Sequence, residues 1–266
     1  MSQTTNALIG KPRKGVRTTA TVTAVRHLTP HMIRVTIGGK SLAGVDPTPL
    51  TDRYIKLVMA ESPEPEGRPV LRTYTIRNVA ESSWDIDIVT HGDEGYGSPW
   101  AQRVQPGEEV SFVGPGGDYA PSPDAQWHLM AGDESALPAI AAACEALPDD
   151  AVAHVFVEVA DASEEQEITS AADLRVTWVH RSTGASLADV VQAAELPDGV
   201  PHTFLHGEAG CVRDLRRWAR GTLGVPRELL SASGYWRRGR DDERWRAEKA
   251  EWRAAVEQDD LVLSAH

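Results

Sequence analysis

The residues best suited to ligand chemistry lie between positions 71 and 77. They read Leu71, Arg72, Thr73, Tyr74, Thr75, Ile76 and Arg77, with apolar and polar residues alternating at the period of a β-strand. Leu71, Thr73, Thr75 and Arg77 share one face; Arg72, Tyr74 and Ile76 share the other. Tyr74 offers a ring for stacking, Arg72 a planar fork for a phosphate, and Thr75 a hydroxyl for the edge of a heterocycle. A flat, anionic, hydrogen-bonding ligand suits that set, and a flavin nucleotide has all three features. An ordinary half-buried strand with surface arginines has the same pattern.

A second stretch, residues 91–100, follows one predicted strand and opens a predicted short helix. Its candidates are His91, Gly92, Gly95, Gly97, Ser98 and Trp100. Glycines let backbone amides come close to a ligand, and Ser98 is placed to cap the helix and to bond a phosphate. A diphosphate fits such a turn; a plain strand-to-helix connection is the alternative reading. His91 reads as a loop hydrogen-bonder rather than a catalyst.

Two more groups are candidates. Gly132, Asp133, Glu134 and Ser135 come just after a predicted strand, where the ligands of parallel sheets gather. There is no G-x-G-x-x-G, and two acids there repel a pyrophosphate while stabilising a helix start. The expectation is a loose nicotinamide nucleotide site, with a capped helix start as the bland alternative. Glu158, ending the next strand, suits a ribose diol and leans towards NADH; Arg181, after the third strand, leans towards NADPH. Lys56 and the cluster Arg237, Arg238 and Arg240 are the best local cations. Tyr235 and Trp236 beside that cluster suit an anionic aromatic ligand such as an iron–catecholate complex, although solvated surface charge is the usual state of such side chains. The nine histidines show no metal-ligand spacing, and no serine or cysteine has a nucleophile's setting.

These residues need elements to hold them. Strands are predicted over residues 16–25, 32–37, 54–59, 71–77, 84–89 and 109–113, with a short helix at 98–104. Short strands broken by turns predict a closed antiparallel barrel. The pattern changes near residue 123. Strands over 127–131, 152–159, 174–179, 203–206 and 229–235 then alternate with helices over 135–147, 187–194 and 211–221. That alternation predicts an α/β domain with a parallel sheet covered on both faces. The division is a flexible basic arm at 1–15, a barrel domain at 16–121 and an α/β domain at 122–266, with Pro121, Ser122 and Pro123 at the boundary. The charged tail at 240–256 puts Trp245 and Trp252 on one helical face.

Composition limits the partners. A chain that is 41% apolar and 25% charged has the make-up of a soluble globular protein. A net charge of −12 argues against nucleic acid and anionic membranes, so an anionic ligand needs a local basic cluster. No apolar run reaches the length of a membrane span. Cys144 and Cys211 both fall in helix-like stretches, which fits a reducing cytoplasm. The polar first residues lack the apolar segment of a signal peptide. A cytoplasmic monomer is expected.

Together with residues 71–77, three stretches carry a resemblance. They are residues 91–100; Gly114, Pro115, Gly116 and Gly117; and the run from Gly234 to Arg240. In this order and spacing, from about Val16 to about Trp252, the chain resembles the siderophore-interacting proteins, which are FAD-containing ferric-siderophore reductases. The resemblance implies a flavin-binding barrel in which Arg72, Tyr74 and Thr75 contact the flavin and residues 91–100 bind its pyrophosphate. It implies that Tyr235 and Trp236 approach flavin and substrate, and that the second domain takes NADH or NADPH. Electrons would then reach siderophore-bound Fe(III) through the flavin, with no acid or base residue required. A ferredoxin is the other donor to consider. A general flavin- or ferredoxin-linked oxidoreductase and a non-catalytic siderophore-binding protein are the competing readings. The family's turn runs Gly-Pro-Ala-Ser, whereas this chain has Gly95, Tyr96, Gly97 and Ser98.

Overall fold

Inward-facing aliphatic residues at every second position draw the first half of the chain into a barrel. The computed structural model describes residues 16–263 except 65, 66 and 94; the arm expected at 1–15 lies outside the described residues. The strands are β1 (Arg17–Thr29), β2 (Met32–Gly38), β3 (Tyr54–Ala60), β4 (Val70–Val79), β5 (Ser83–Val89) and β6 (Glu109–Gly116). They close in the order β1-β2-β5-β4-β3-β6, all pairs antiparallel. Closure leaves no edge strand to pair with another chain. Val22, Val35, Ile37, Ile55, Leu57, Ile76, Ile86 and Phe112 fill the interior, joined by Ala101 of the short helix α1 (Gly97–Arg103). Each such side chain, fully buried, stabilises the fold by roughly 1.5–3 kcal/mol. Strand β1 runs past its predicted end at residue 25, because bulges at Val22/Ala24 and His27/Thr29 let it keep pairing with β2.

The second half is a parallel sheet. Its strands are β7 (His128–Asp133), β8 (Val152–Val159), β9 (Asp173–His180), β10 (His202–Glu208) and β11 (Leu230–Trp236), in the order β11-β10-β7-β8-β9. Helix α2 (Leu137–Glu145) covers one face, where Ile140 meets Met130, Val155, Val157 and Phe204. Helices α3 (Leu187–Ala193) and α4 (Ala209–Gly221) cover the other, packing Leu187, Val191 and Leu215 on Leu129, Phe156 and Leu205. Continuous apolar strands are what burial on both faces demands.

Barrel and sheet each have their own core and meet where Met32 and Tyr119 pack in the α2 cluster. Arg77 of β4 reaches Glu145 at the end of α2 at 2.8 Å. Asp52 accepts hydrogen bonds from the backbone N–H of Asp118 and of Tyr119, both at 2.9 Å, and so holds the start of the connection.

The chain finishes its described part with α5 (Asp242–Leu263), which lies back over both halves. Trp245 is buried and donates its indole N–H to the Tyr235 carbonyl at 2.9 Å. Trp252 donates to Ala209 at 3.0 Å, and the two indoles meet edge to face at 5.9 Å, as their shared helical face predicts. Arg213 and Arg216 of α4 hold Asp259 and Asp260 at 2.6 and 2.5 Å.

Candidate functional site

Strand β4 aims its side chains through its register. Arg72 stands opposite Leu57 and Tyr74 opposite Ile55, whereas Thr75 stands opposite Tyr54 on the other face. Arg72 is only 8% exposed, yet both arms of its guanidinium are engaged. Nη1 lies 2.9 Å from Asp242 and Nη2 lies 2.7 Å from Glu243, both in the first turn of α5. The ring of Tyr96 lies over the guanidinium, 5.3 Å from its centroid. Tyr74 packs against the barrel core, and burial pushes its hydroxyl pKa upward. A Cβ on Gly97 would come within 1.9 Å of that hydroxyl, so Gly97 is where the turn touches β4.

The turn itself differs from the expectation in one respect. Ser98 does not cap the helix: Tyr96 is the capping residue and makes no side-chain cap bond. The Ser98 hydroxyl instead donates to the Gly92 carbonyl at 2.8 Å and accepts the His91 N–H at 3.2 Å, tying the turn to itself. Gly92 and Gly95 have φ of +61° and +78°, and nothing lies within 4 Å of where their Cβ atoms would be. That open, left-handed backbone is a place where amides can face an anion. His91 is exposed, and Trp100 packs partly buried on the barrel core.

The carboxyl end of the parallel sheet is held by Asp133. Its buried carboxylate accepts from Ser135 N at 2.9 Å and Oγ at 2.5 Å, from Glu208 N at 2.8 Å and from Trp236 Nε1 at 2.7 Å. Burial nevertheless pushes its pKa up to about 6. Asp133 and Trp236 therefore knit β7, β10 and β11 together. Gly132 is a packing residue, because a Cβ there would sit 2.5 Å from the His206 carbonyl oxygen and 2.6 Å from the Ala136 Cβ. Tyr235 is committed inward as well: its hydroxyl lies 2.8 Å from His206 Nδ1.

Beside these residues opens a cavity of about 660 Å³, lined among others by Glu158, Arg181, Glu208, Trp236 and Arg238. Arg181 holds Glu134 at 2.8 Å and Glu158 at 3.3 Å. The two residues that leaned towards opposite nucleotides thus neutralise each other. The structure brings Glu134, Glu158 and Arg181 together; Asp133 lines the same cavity but its carboxylate is taken up by Ser135, Glu208 and Trp236.

The basic residues divide into two groups. Arg237 and Arg240 reach Glu248 at 3.3 and 2.8 Å. Arg238 is exposed and bonds Glu208 through its backbone N–H at 3.1 Å. Lys56 extends from β3, with its ammonium 5.8 Å from the Tyr54 ring. Lys249 of α5 stands 5.8 Å from the centroid of the Trp245 ring, and its pKa is lowered by burial first, then by Arg253 and Arg246 and least by Lys56, while Asp242 raises it. Sequence reasoning missed Asp242, Glu243, Arg246 and Lys249. Their spacing along one helical stretch was visible; what they face across the fold was not. Among the described residues no cluster of side chains could hold a metal ion.

Comparison with known proteins fits this geometry. Residues 21–119 match the siderophore-interacting FAD-binding domain and residues 125–239 match the siderophore-interacting protein domain. The chain belongs to the siderophore-interacting protein family. An uncharacterized protein of Mycobacterium tuberculosis is 42% identical, the match covering 88% of this chain and 96% of the relative. The ferric vibriobactin reductase ViuB of Vibrio cholerae is 30% identical over 84% of this chain and 90% of ViuB. The crystal structure of the siderophore-interacting protein SipS from Aeromonas hydrophila superposes with a TM-score of 0.79 at 30% identity, covering 88% of this chain and 97% of SipS. The residues of this siderophore-interacting protein fit an FAD. Arg72 already pairs with two carboxylates, Tyr74 follows it on the same face of β4, and the backbone at Gly92 and Gly95 is open to an anion.

Proposed function

We propose that this protein is an FAD-dependent ferric-siderophore reductase that uses NADH, NADPH or a reduced ferredoxin to turn siderophore-bound Fe(III) into Fe(II). The observation that carries the reading is the buried, anion-binding Arg72 next to Tyr74 and the open glycine turn, within a stretch that matches a siderophore-interacting FAD-binding domain. Bound flavin would convert a two-electron donor into a one-electron source for iron. Arg72 would hold its phosphate, Tyr74 and Thr75 would contact its ring system, and the backbone at Gly92 and Gly95 would face the diphosphate. Iron(II) binds hard oxygen ligands more weakly than iron(III), so reduction releases the metal.

Lys56 and Lys249 would hold an anionic ferric siderophore. A protein of net charge −12 offers such a ligand no long-range attraction. Binding must rest on cations in a partly desolvated place, where each one counts for more.

The lining of the second-domain cavity, exposed Arg238 apart, argues against a tightly held nicotinamide nucleotide and keeps ferredoxin in the reading as a donor. The cavity at the end of the parallel sheet carries Glu158, Glu208 and Asp214, and its Arg181 is already paired. That lining is poor for a pyrophosphate.

Chromatography of the flavin released by heat or acid should find FAD; FMN alone would overturn the cofactor assignment. Anaerobic reduction of a ferric siderophore, followed with a ferrous trap, should proceed with at least one of the three donors. No reduction with any of them would leave a binding protein.

A further inference from the structure

The contact that the proposed function leaves unexplained is the seat of α5 on Arg72. Asp242 and Glu243 occupy the guanidinium at 2.9 and 2.7 Å, although Glu243 itself is 61% exposed at its side chain. Asp242 also pairs with Arg246 at 2.6 Å, and Arg246 donates to the Leu71 carbonyl next to Arg72. Tyr96, 43% exposed, covers the guanidinium from the turn. A guanidinium presents one planar fork to an anion. Here Nη2 donates to Glu243, Nη1 donates to the Leu71 carbonyl at 3.0 Å and Asp242 adds its charge, so a phosphate brought against them would meet like charge in a partly buried place.

We propose that the acidic first turn of α5 is an internal competitor for the flavin phosphate at Arg72, so that this turn must leave Arg72 when the cofactor is seated. The inference rests on the reading that Arg72 receives that phosphate. The contact lies at the very start of the helix, ahead of its anchored body. Gly239, with φ of +75° in open space, lies just before the helix. Trp245 is buried and pinned to the Tyr235 carbonyl, so the helix body stays anchored behind the moving turn. The moving part is held by Asp241, which accepts the Arg244 N–H through its side chain at 2.7 Å and the Trp245 N–H through its carbonyl at 2.9 Å. Loading would also free Asp242 from one of its two arginines. Helix α5 thus connects flavin occupancy to the cations of its next turns.

Two measurements test this on the full chain. The first is a titration of flavin-stripped protein with FAD, for the wild type and the D242N/E243Q double variant. The double variant should bind FAD at least about five-fold more tightly, because the competitor is gone. Equal or weaker binding by the variant overturns the competition. No FAD binding by either protein overturns the functional reading and this inference together, whereas binding by the variant alone supports both. The second is hydrogen exchange over residues 241–249 of the wild type with and without saturating FAD. Exchange should rise on loading at the amides of Arg244 and Trp245. Unchanged exchange in a fully loaded protein overturns the movement even where FAD affinity is high.

Discussion

Arg72 and Tyr74 can be judged one side chain at a time. Replacing Tyr74 by Ala removes a stacking surface, and replacing Arg72 by Ala removes a fork for the phosphate. Each loss is worth on the order of 1–3 kcal/mol of FAD binding, or roughly ten- to a hundred-fold in dissociation constant. Titration of flavin-stripped variants reads this directly, with circular dichroism to verify the fold. Unchanged affinity in both variants would remove β4 from the site. The period-2 alternation correctly put Arg72 and Tyr74 on one face and Thr75 on the other. Alternation says nothing of what lies opposite in space. Glu243 meets Arg72 from 171 positions along the chain, and such contacts leave no local signal. The Ser98 hydroxyl is a smaller instance: its type allows capping or loop bonding, and only the backbone path of the turn decides for the latter.

At the scale of elements, Gly132 and α5 allow two tests. A glycine at the end of a strand reads equally as ligand-facing or as packing, and the sequence does not choose. In the fold, Gly132 has β10 and Ala136 against it, so Gly132→Ala should destabilise the protein by about 1–3 kcal/mol through overpacking. Urea unfolding measures this; a variant of wild-type stability would return Gly132 to the list of ligand-facing glycines. For α5, Lys56→Ala and Lys249→Ala should each raise the Michaelis constant for an anionic ferric siderophore several-fold without changing flavin content. Arg240→Ala should do less, since Glu248 already occupies Arg240. Steady-state assays with a ferrous trap compare the three variants, and a larger effect at Arg240 than at Lys249 would reverse the assignment. Strand periods and turn residues made the barrel and the sheet legible. The Trp245 and Trp252 spacing did the same for α5 as a helix. Bulges extended β1, and the cations of α5 went unpaired with Lys56, because both depend on register and docking between elements rather than on any one of them.

For the whole molecule, the join between barrel and sheet rests on neutral histidines, which makes stability depend on pH. His202 on β10 stands opposite His128 on β7, and their rings lie 5.9 Å apart. His202 Nδ1 accepts the Ser122 N–H at 3.0 Å, which a protonated ring cannot do, and Tyr119 packs on the same ring at 5.0 Å. His206 lies deeper, stacked on Phe204 at 3.7 Å, with both nitrogens in hydrogen bonds to Tyr235 and Ser231. Burial lowers all three pKa values, to about 4 for His128 and about 3 for His206. A folded pKa below the unfolded value of roughly 6.5 means that the unfolded chain takes up protons first. The stability these residues give is therefore complete above about pH 6.5 and is lost as pH falls towards the folded values. Asp133 works the other way. Its pKa is raised to about 6, so its contribution is full below the unfolded carboxylate value and is lost as pH rises through about 6. On acidification it regains part of what the histidines lose, as does Asp52, whose pKa burial also raises; burial lowers His154 too, so two acids stand against four histidines. The melting temperature should fall between pH 6.5 and 5, and His202→Gln should flatten that fall. Because barrel and sheet share the cluster around Met32 and Tyr119, the loss should appear in one cooperative transition rather than in the sheet alone. Scanning calorimetry across this range decides the matter. A melting temperature that holds steady from pH 7 to pH 5 would mean that protonated histidines are accommodated at the join, and that the neutral forms do not hold the two halves together.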